Sequence, residues 1–378
     1  NDPDPTFEQT IFYLPAVSFT IEGGGGTDSI TIDTNLSKTG MNLTVDAESI
    51  TVNPGVSIDL GNGDILLNTS ATASGTIGDL LGIDTGVDFV DDALDLKFGV
   101  SEASIDLTGA TLIGNNVTLS AESTLDLDSS GLSVFSVTVA MVYAESLAEV
   151  TLDGTQITAS GFLDIDATST VTANATIAAD GGSSDGSLDA ALAVVIIDST
   201  ASATIAGSSQ ITVAGDFALT ATNTRNATAN ANGNTAGSAG ASLGLSVVRG
   251  DTLAYIDGTS AIDDGSDTDE ADSVSIAAFT TNNVNTSATS TPDGASENQS
   301  AGGSETESKL ASYDAGTSDG DLGLAAAFAV TDVTGSTTAR ITSSGQVVSD
   351  GAIEVTATST NTAVTATADG STTSDGST

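Results

Sequence analysis

One order of segments recurs along this chain and limits what it can fold into. From Leu322 to Thr360 a run of small and apolar residues (LGLAAAFAV) leads into a Thr-rich turn around Gly335. A short apolar pair across a Gly turn follows, Ile341 and Val347, and then an alternating strand, Ile353, Val355 and Ala357. The same order begins at Leu188 (LDAALAVVIIDSTASATIAGSSQITVAGDFALTATNT), at Ser242 (SLGLSVVRGDTLAYIDGTSAI) and, more loosely, at Leu132. Aligning the apolar residue after each Gly turn gives Leu112, Ile157, Ile211, Ile262 and Val347, which are 45, 54, 51 and 85 residues apart by subtraction. Self-similarity at tens of residues marks a repeat architecture, in which no unit closes a core alone and each must stack on its neighbours.

The residue types decide what stacks. Apolar residues make up 39% of the 378 positions but aromatics only 4%. A wide globular core needs large side chains, whereas a narrow stacked one is filled by Ala, Val, Ile and Leu. Thr and Val suit a pleated, half-buried surface, and Lys, Arg, Gln and Glu, which favour helices, are few. The expectation is all-β: an elongated parallel β-solenoid (β-helix) built from imperfect repeats, with an atypical N-terminal segment. Read as two or three coils of about 20 residues plus an excursion, each period predicts roughly 16 layers and a rod of about 80 Å.

Three regions follow. Residues 1–26 hold three of the five prolines and four aromatics, Phe7, Phe12, Tyr13 and Phe19, before a four-glycine break. They read as a cap over the first coil, or as an extended segment joining another copy by strand addition. Residues 27–130 alternate cleanly, with turns at Pro54-Gly55 and Gly61-Asn62-Gly63; the Asn-Gly pair also allows a hairpin. Leu80 to Val100 reads as a short helix or a bulky loop. Residues 131–378 carry the repeat and four polar excursions, Asp180–Ser187, Asn223–Ala241, Asp263–Asp272 and Ser290–Asp314, expected as loops.

Charge and missing residue types exclude much. Six basic residues face 51 acidic ones, a net charge of −45. The six are scattered singly, so the clustered cations that displace counterions from nucleic acid are missing, and anionic lipid would repel the chain. With no Cys and no His, thiol chemistry, disulfides and His-based triads or metal sites are out. No run of 18 apolar residues predicts a membrane span.

The strings GLAAAFAVTDVTGSTTARI, ALAVVIIDSTASATI and SLGLSVVRGDTLAYI resemble the repeat of giant bacterial surface proteins, the filamentous-haemagglutinin-like adhesins. The resemblance covers about residues 131–360. It implies a parallel β-solenoid, secretion to the cell surface, and adhesive or structural work, and it carries over no catalytic residue. No secretion domain or surface anchor is recognisable in these residues.

The chemical candidates are few. Asp263, Asp264, Asp267, Asp269 and Asp272, with Glu270, put six acids into ten positions, and hard oxygen ligands at close spacing suit Ca²⁺. The register is not that of an EF-hand, and a solvated acidic loop explains the same residues. Asp88, Asp91, Asp92 and Asp95 form a second, weaker cluster. Arg249-Gly250-Asp251 spells an adhesive tripeptide but falls at a turn between strands. Eight Asn-x-Ser/Thr sequons admit surface glycosylation. The expected function is therefore an extracellular, non-enzymatic structural rod: a subunit joining copies of itself end to end into a filament or sheath, or the stalk of a giant adhesin that meets surface glycans. The alternative is a calcium-dependent carbohydrate-binding or polysaccharide-lyase β-helix, with Arg249 or Arg340 as its basic residue.

Overall fold

The computed structural model describes residues 14–73, 96–130, 132–134, 137–177, 189–234, 239–263, 270–291 and 324–370. They form seven stacked coils and the first strand of an eighth. The first coil is β1 (Ser18–Glu22), β2 (Ser29–Ile32) and β3 (Leu36–Ser37); the second is β4 (Asn42–Ala47), β5 (Ser49–Val52) and β6 (Ser57–Asp59). The third has β7 (Ile65–Ala73), β8 (Leu96–Thr108) and β9 (Thr111–Gly114). In the fourth come β10 (Val117–Ser129), the short β11 (Leu132–Val134), β12 (Val137–Asp153) and β13 (Gln156–Ala159). The fifth holds β14 (Leu163–Ile177), β15 (Asp189–Ala206) and β16 (Gln210–Val213). The sixth holds β17 (Asp216–Asn234), β18 (Ala239–Arg249), β19 (Thr252–Ile256) and β20 (Ala261–Ile262). The seventh is β21 (Ser273–Thr291), β22 (Leu324–Val333) and β23 (Thr337–Ile341), and β24 (Ile353–Gly370) opens the eighth.

These strands make three parallel sheets. One, sheet A, runs β1-β4-β7-β10-β14-β17-β21-β24; the second, sheet B, runs β2-β5-β8-β12-β15-β18-β22; the third, sheet C, runs β3-β6-β9-β13-β16-β20. Among the described residues only β11 pairs antiparallel, with β12. The all-β parallel solenoid expected from the repeat is what the chain forms. The turn at Gly61-Asn62-Gly63 carries the chain from β6 in sheet C to β7 in sheet A, so it is a corner and not a hairpin. Residues 18–22 of the N-terminal segment pair in register with β4 as an ordinary first strand.

The aligned residues stack. Ile58, Leu112, Ile157, Ile211, Ile262 and Val347 are successive partners down sheet C. The expected relation between period and coil is therefore corrected: each separation of 45 to 85 residues is one coil, not two or three. Eight layers at about 4.8 Å make a stack of only about 35 Å along the axis, in place of roughly 80 Å. The surplus residues went into width. The first two coils use strands of two to six residues, and later ones reach 19.

Width divides each later coil in two. The first half of each sheet A strand, the last half of its sheet B partner and sheet C enclose a triangular core, such as Leu163, Ile165, Ala203, Ile205 and Ile211 in the fifth coil. Beyond it the sheet A and sheet B strands continue face to face as a two-layer wing with its own core, Val171, Ala173, Ala175, Val195 and Ile197. The wing is filled largely by Ala, so its sheets lie close. This overturns the reading of Asn223–Ala241 as a loop: Asn223–Asn234 completes β17, with Ala227, Ala229 and Ala231 buried between Thr and Asn. Alternation with alanine looks polar in sequence yet closes a thin core. Likewise Leu96–Val100 opens β8. Residues 80–95, 180–187 and 292–314 lie outside the described residues. No helix among the described residues is long and apolar enough to cross a membrane.

Candidate binding surfaces

At the waist between triangle and wing, small polar residues of the two sheets meet in hydrogen bonds. Ser123 donates to the Ser101 carbonyl at 2.9 Å and meets the Ser146 hydroxyl at 2.7 Å. Ser146 meets Ser169 (2.7 Å), Ser169 meets Ser199 (2.9 Å), and Ser199 donates to Asn223 Oδ1 (2.8 Å). Each hydroxyl is buried, and each crosses from one sheet to the other, so a zigzag of hydroxyls climbs four coils. Further along, Thr252, Thr280 and Thr337 continue the pattern at 2.7 Å each. A buried hydroxyl must have a partner, and stacking supplies it.

One of the wing's apolar columns turns polar at the sixth coil and stays so in the seventh, where Asn282 lies over Arg225. Arg225 takes the place that Val171 holds one layer below, and it is 2% exposed. Its Nη1 donates to the carbonyls of Gly250 (3.0 Å) and Thr334 (3.5 Å). Beside it sheet B is split, between β18 and β19 and again between β22 and β23. Gly250 (φ +131°) and Gly335 (φ +150°) lie in the splits in conformations that favour glycine. A Cβ on Gly250 would collide with the Ser199 carbonyl, so packing alone explains the glycine of Arg249-Gly250-Asp251. Burial lowers the Arg225 pKa, and Asp251 and Asp198 oppose the shift. Asp251 meanwhile accepts from the backbone N–H and the hydroxyl of Ser336, both at 2.8 Å.

The outer faces of the wing are poor in acids, and those they carry among the described residues include Asp126 and Asp128 on β10, Asp369 on β24 and Asp332 on β22. On sheet A, Thr72, Thr124, Thr170, Thr224, Thr281 and Thr360 follow one another in register as an unbroken column of six threonines. Around it, from Thr168 to Thr176 on β14 and from Thr222 to Asn230 on β17, every outward side chain is Thr or Asn. The sequons at Asn174, Asn226 and Asn285 lie on this face. Nearer the triangle, Asp164 and Asp166 interrupt it, and burial raises the pKa of both; for Asp166 the neighbouring Asp164 and Glu122 add to the rise.

The outer face of sheet B on the wing is apolar. Val139, Leu192, Leu243 and Phe328 form one column, and Met141, Val194, Leu245 and Val330 the next. A third runs Phe98, Tyr143, Ile196 and Val247 and ends on the exposed Asp332 of β22. Phe328 is 64% exposed, Val330 49% and Leu243 39%. Large aliphatic and aromatic side chains facing water in a chain this acidic are the clearest sign of an interaction surface in the molecule. The columns fall on separate strands, so only the register shows that they are contiguous.

The sequence-derived candidates fall as follows. Asp263 is buried with φ +46°, and its carboxylate accepts the N–H groups of Val213 (3.0 Å) and Ala271 (3.1 Å), closing the base of the acidic loop. Asp272 is exposed; Asp264, Asp267 and Asp269 lie outside the described residues, as do Asp88, Asp91, Asp92 and Asp95. Among the described residues no group of three carboxylates is poised for a metal ion. Phe19 occupies the inner column Phe19, Leu43, Ile65, Val117 and packs against the triangular core, while Phe7, Phe12 and Tyr13 lie outside the described residues. Arg340 is exposed and stacks over the Tyr255 ring at 4.8 Å, and Arg249 is exposed at the end of β18.

Compared with protein-family models, with curated proteins and with solved structures, the chain matches none of them.

Proposed function

We propose that this chain is an extracellular structural protein, a β-solenoid rod that stacks end to end with copies of itself into a surface filament or sheath, or serves as a segment of an adhesin stalk. The observation that carries this reading is the last strand. It continues the inward columns of the layers before it, Ile353, Val355 and Val364 stacking in register on the buried Val274, Ile276 and Val284. A further coil, of this chain or of another copy, would extend the same columns over the eighteen residues of β24. A stack of parallel coils satisfies backbone hydrogen bonds along its axis, and the Ser zigzag and Ala wing hold successive layers in one register. Such a construction supports the reading as a load-bearing spacer, and a net charge of −45 would keep the flanks of such rods apart. The resemblance of the repeat to surface adhesins points the same way.

Light scattering on the full chain tests it. Mass should grow with concentration, and Val355→Asp, which puts a charge on that column, should abolish growth without changing the circular dichroism of the coils. Equal scattering from both proteins would overturn end-to-end stacking.

A second reading, a calcium-dependent glycan-binding β-helix, draws on the Thr and Asn rows of β14 and β17 on sheet A, whose flat array of hydroxyls and amides suits sugar hydroxyls. It predicts a melting temperature that falls in EDTA; an unchanged one removes calcium from the account.

A further inference from the structure

We infer that the apolar outer face of sheet B on the wing is a lateral interface, on which a second copy of this chain docks side by side. The inference rests on the reading of the chain as a self-assembling rod and adds a second, sideways contact to it. Five strands cross the face about 4.8 Å apart, and its columns stand about 7 Å apart, so it covers on the order of 500 Å². Two such faces together bury about 1,000 Å², which reaches the lower bound of a specific interface only when the whole face is covered. The occupant must therefore be flat and equally wide.

The same face of a second copy meets that requirement. Sheets pack face to face about 10 Å apart with side chains interdigitating, and a two-fold axis makes one patch complementary to itself. Charge argues for the same occupant. Two chains of −45 repel each other wherever acids face out, and they can touch only through uncharged surfaces. Here Leu243, Leu245, Phe328 and Val330 offer one that is apolar as well. A basic partner, in contrast, would be drawn to the acidic flanks and away from this face. Charged residues mark its border: Glu145, Asp198 and Arg249 follow Tyr143, Ile196 and Val247 along β12, β15 and β18, Asp332 stands beside Val247 on β22, and all four are exposed. They confine the contact to the wing.

Sedimentation equilibrium of the full chain, in low salt and in molar NaCl, tests the inference. Val355→Asp serves as the background that removes end growth. A species of twice 37.0 kDa is expected, tighter in high salt because repulsion is screened. Val194→Glu with Leu245→Glu should weaken it by at least about 30-fold. Thr224→Glu, outward on sheet A, should leave it unchanged, and circular dichroism should show all variants folded. A monomer at every concentration and salt overturns the inference. So does a dimer broken by Thr224→Glu and untouched by Val194→Glu with Leu245→Glu, or a monomer that instead binds zwitterionic vesicles or glycans through this face. Failure of end-to-end stacking shows separately, as absent growth in the parent chain while the lateral dimer persists.

Discussion

Arg225 is the residue at which the fold gives up an apolar column, and its surroundings explain the cost. The guanidinium replaces a valine of the layer below, fills the wing, and satisfies two carbonyls exposed by the split in sheet B. Arg225→Ala should leave both a cavity and unmet carbonyls, lowering stability by about 2–4 kcal/mol in urea unfolding. The Ser zigzag is more forgiving. Ser146→Ala removes two side-chain hydrogen bonds, yet Ser123 retains Ser101 and Ser169 retains Ser199, so a loss of about 1 kcal/mol is expected. Asp166 works in the opposite sense. Its pKa is raised from 3.8 by burial, so the folded chain holds its proton more tightly than the unfolded chain does. Its charged form therefore destabilises the fold at neutral pH, and that penalty fades as pH falls through the raised value. Asp166→Asn should melt higher than the parent at pH 7, and the difference should vanish on acidification; a difference that grows in acid would reverse the sign argued here.

At the scale of strands, the wing is the element that sets this solenoid apart, and it was the least legible part of the sequence. The triangular core announces itself through Ile, Leu and Val after each Gly turn, and those residues do stack as Leu112, Ile157, Ile211 and Ile262. The wing strands hide because their inward residues are alanines, too weakly apolar to stand out from the Thr and Asn between them. Asn223–Asn234 therefore read as a loop, and one wide coil read as two or three narrow ones. The outer faces were hidden for a different reason. The six-threonine column and the apolar columns of sheet B are made by register between residues 45 to 85 positions apart, which no local pattern reports. The closeness of the wing sheets yields its own prediction. Ala229, buried between Ala175 and Thr286, has no room for a larger side chain, so Ala229→Leu should destabilise by about 1–3 kcal/mol. The neighbouring outward Thr228→Leu should change stability far less, and a comparison of the two thermal melts checks the contrast.

For the molecule as a whole, shape and charge decide function together. Eight layers make a short, broad block about 35 Å along its axis, whose use as a rod depends on adding further layers. On the proposed reading, like charge opposes contacts elsewhere and steers assembly to β24 and to the acid-poor wing faces, so assembly should strengthen with salt. Cryo-electron microscopy of the concentrated full chain in high salt is the most direct test of that assembly. The account predicts continuous filaments with an axial repeat of about 4.8 Å, the spacing of coils carried unbroken from one copy to the next. Isolated blocks about 35 Å long at every concentration would contradict it.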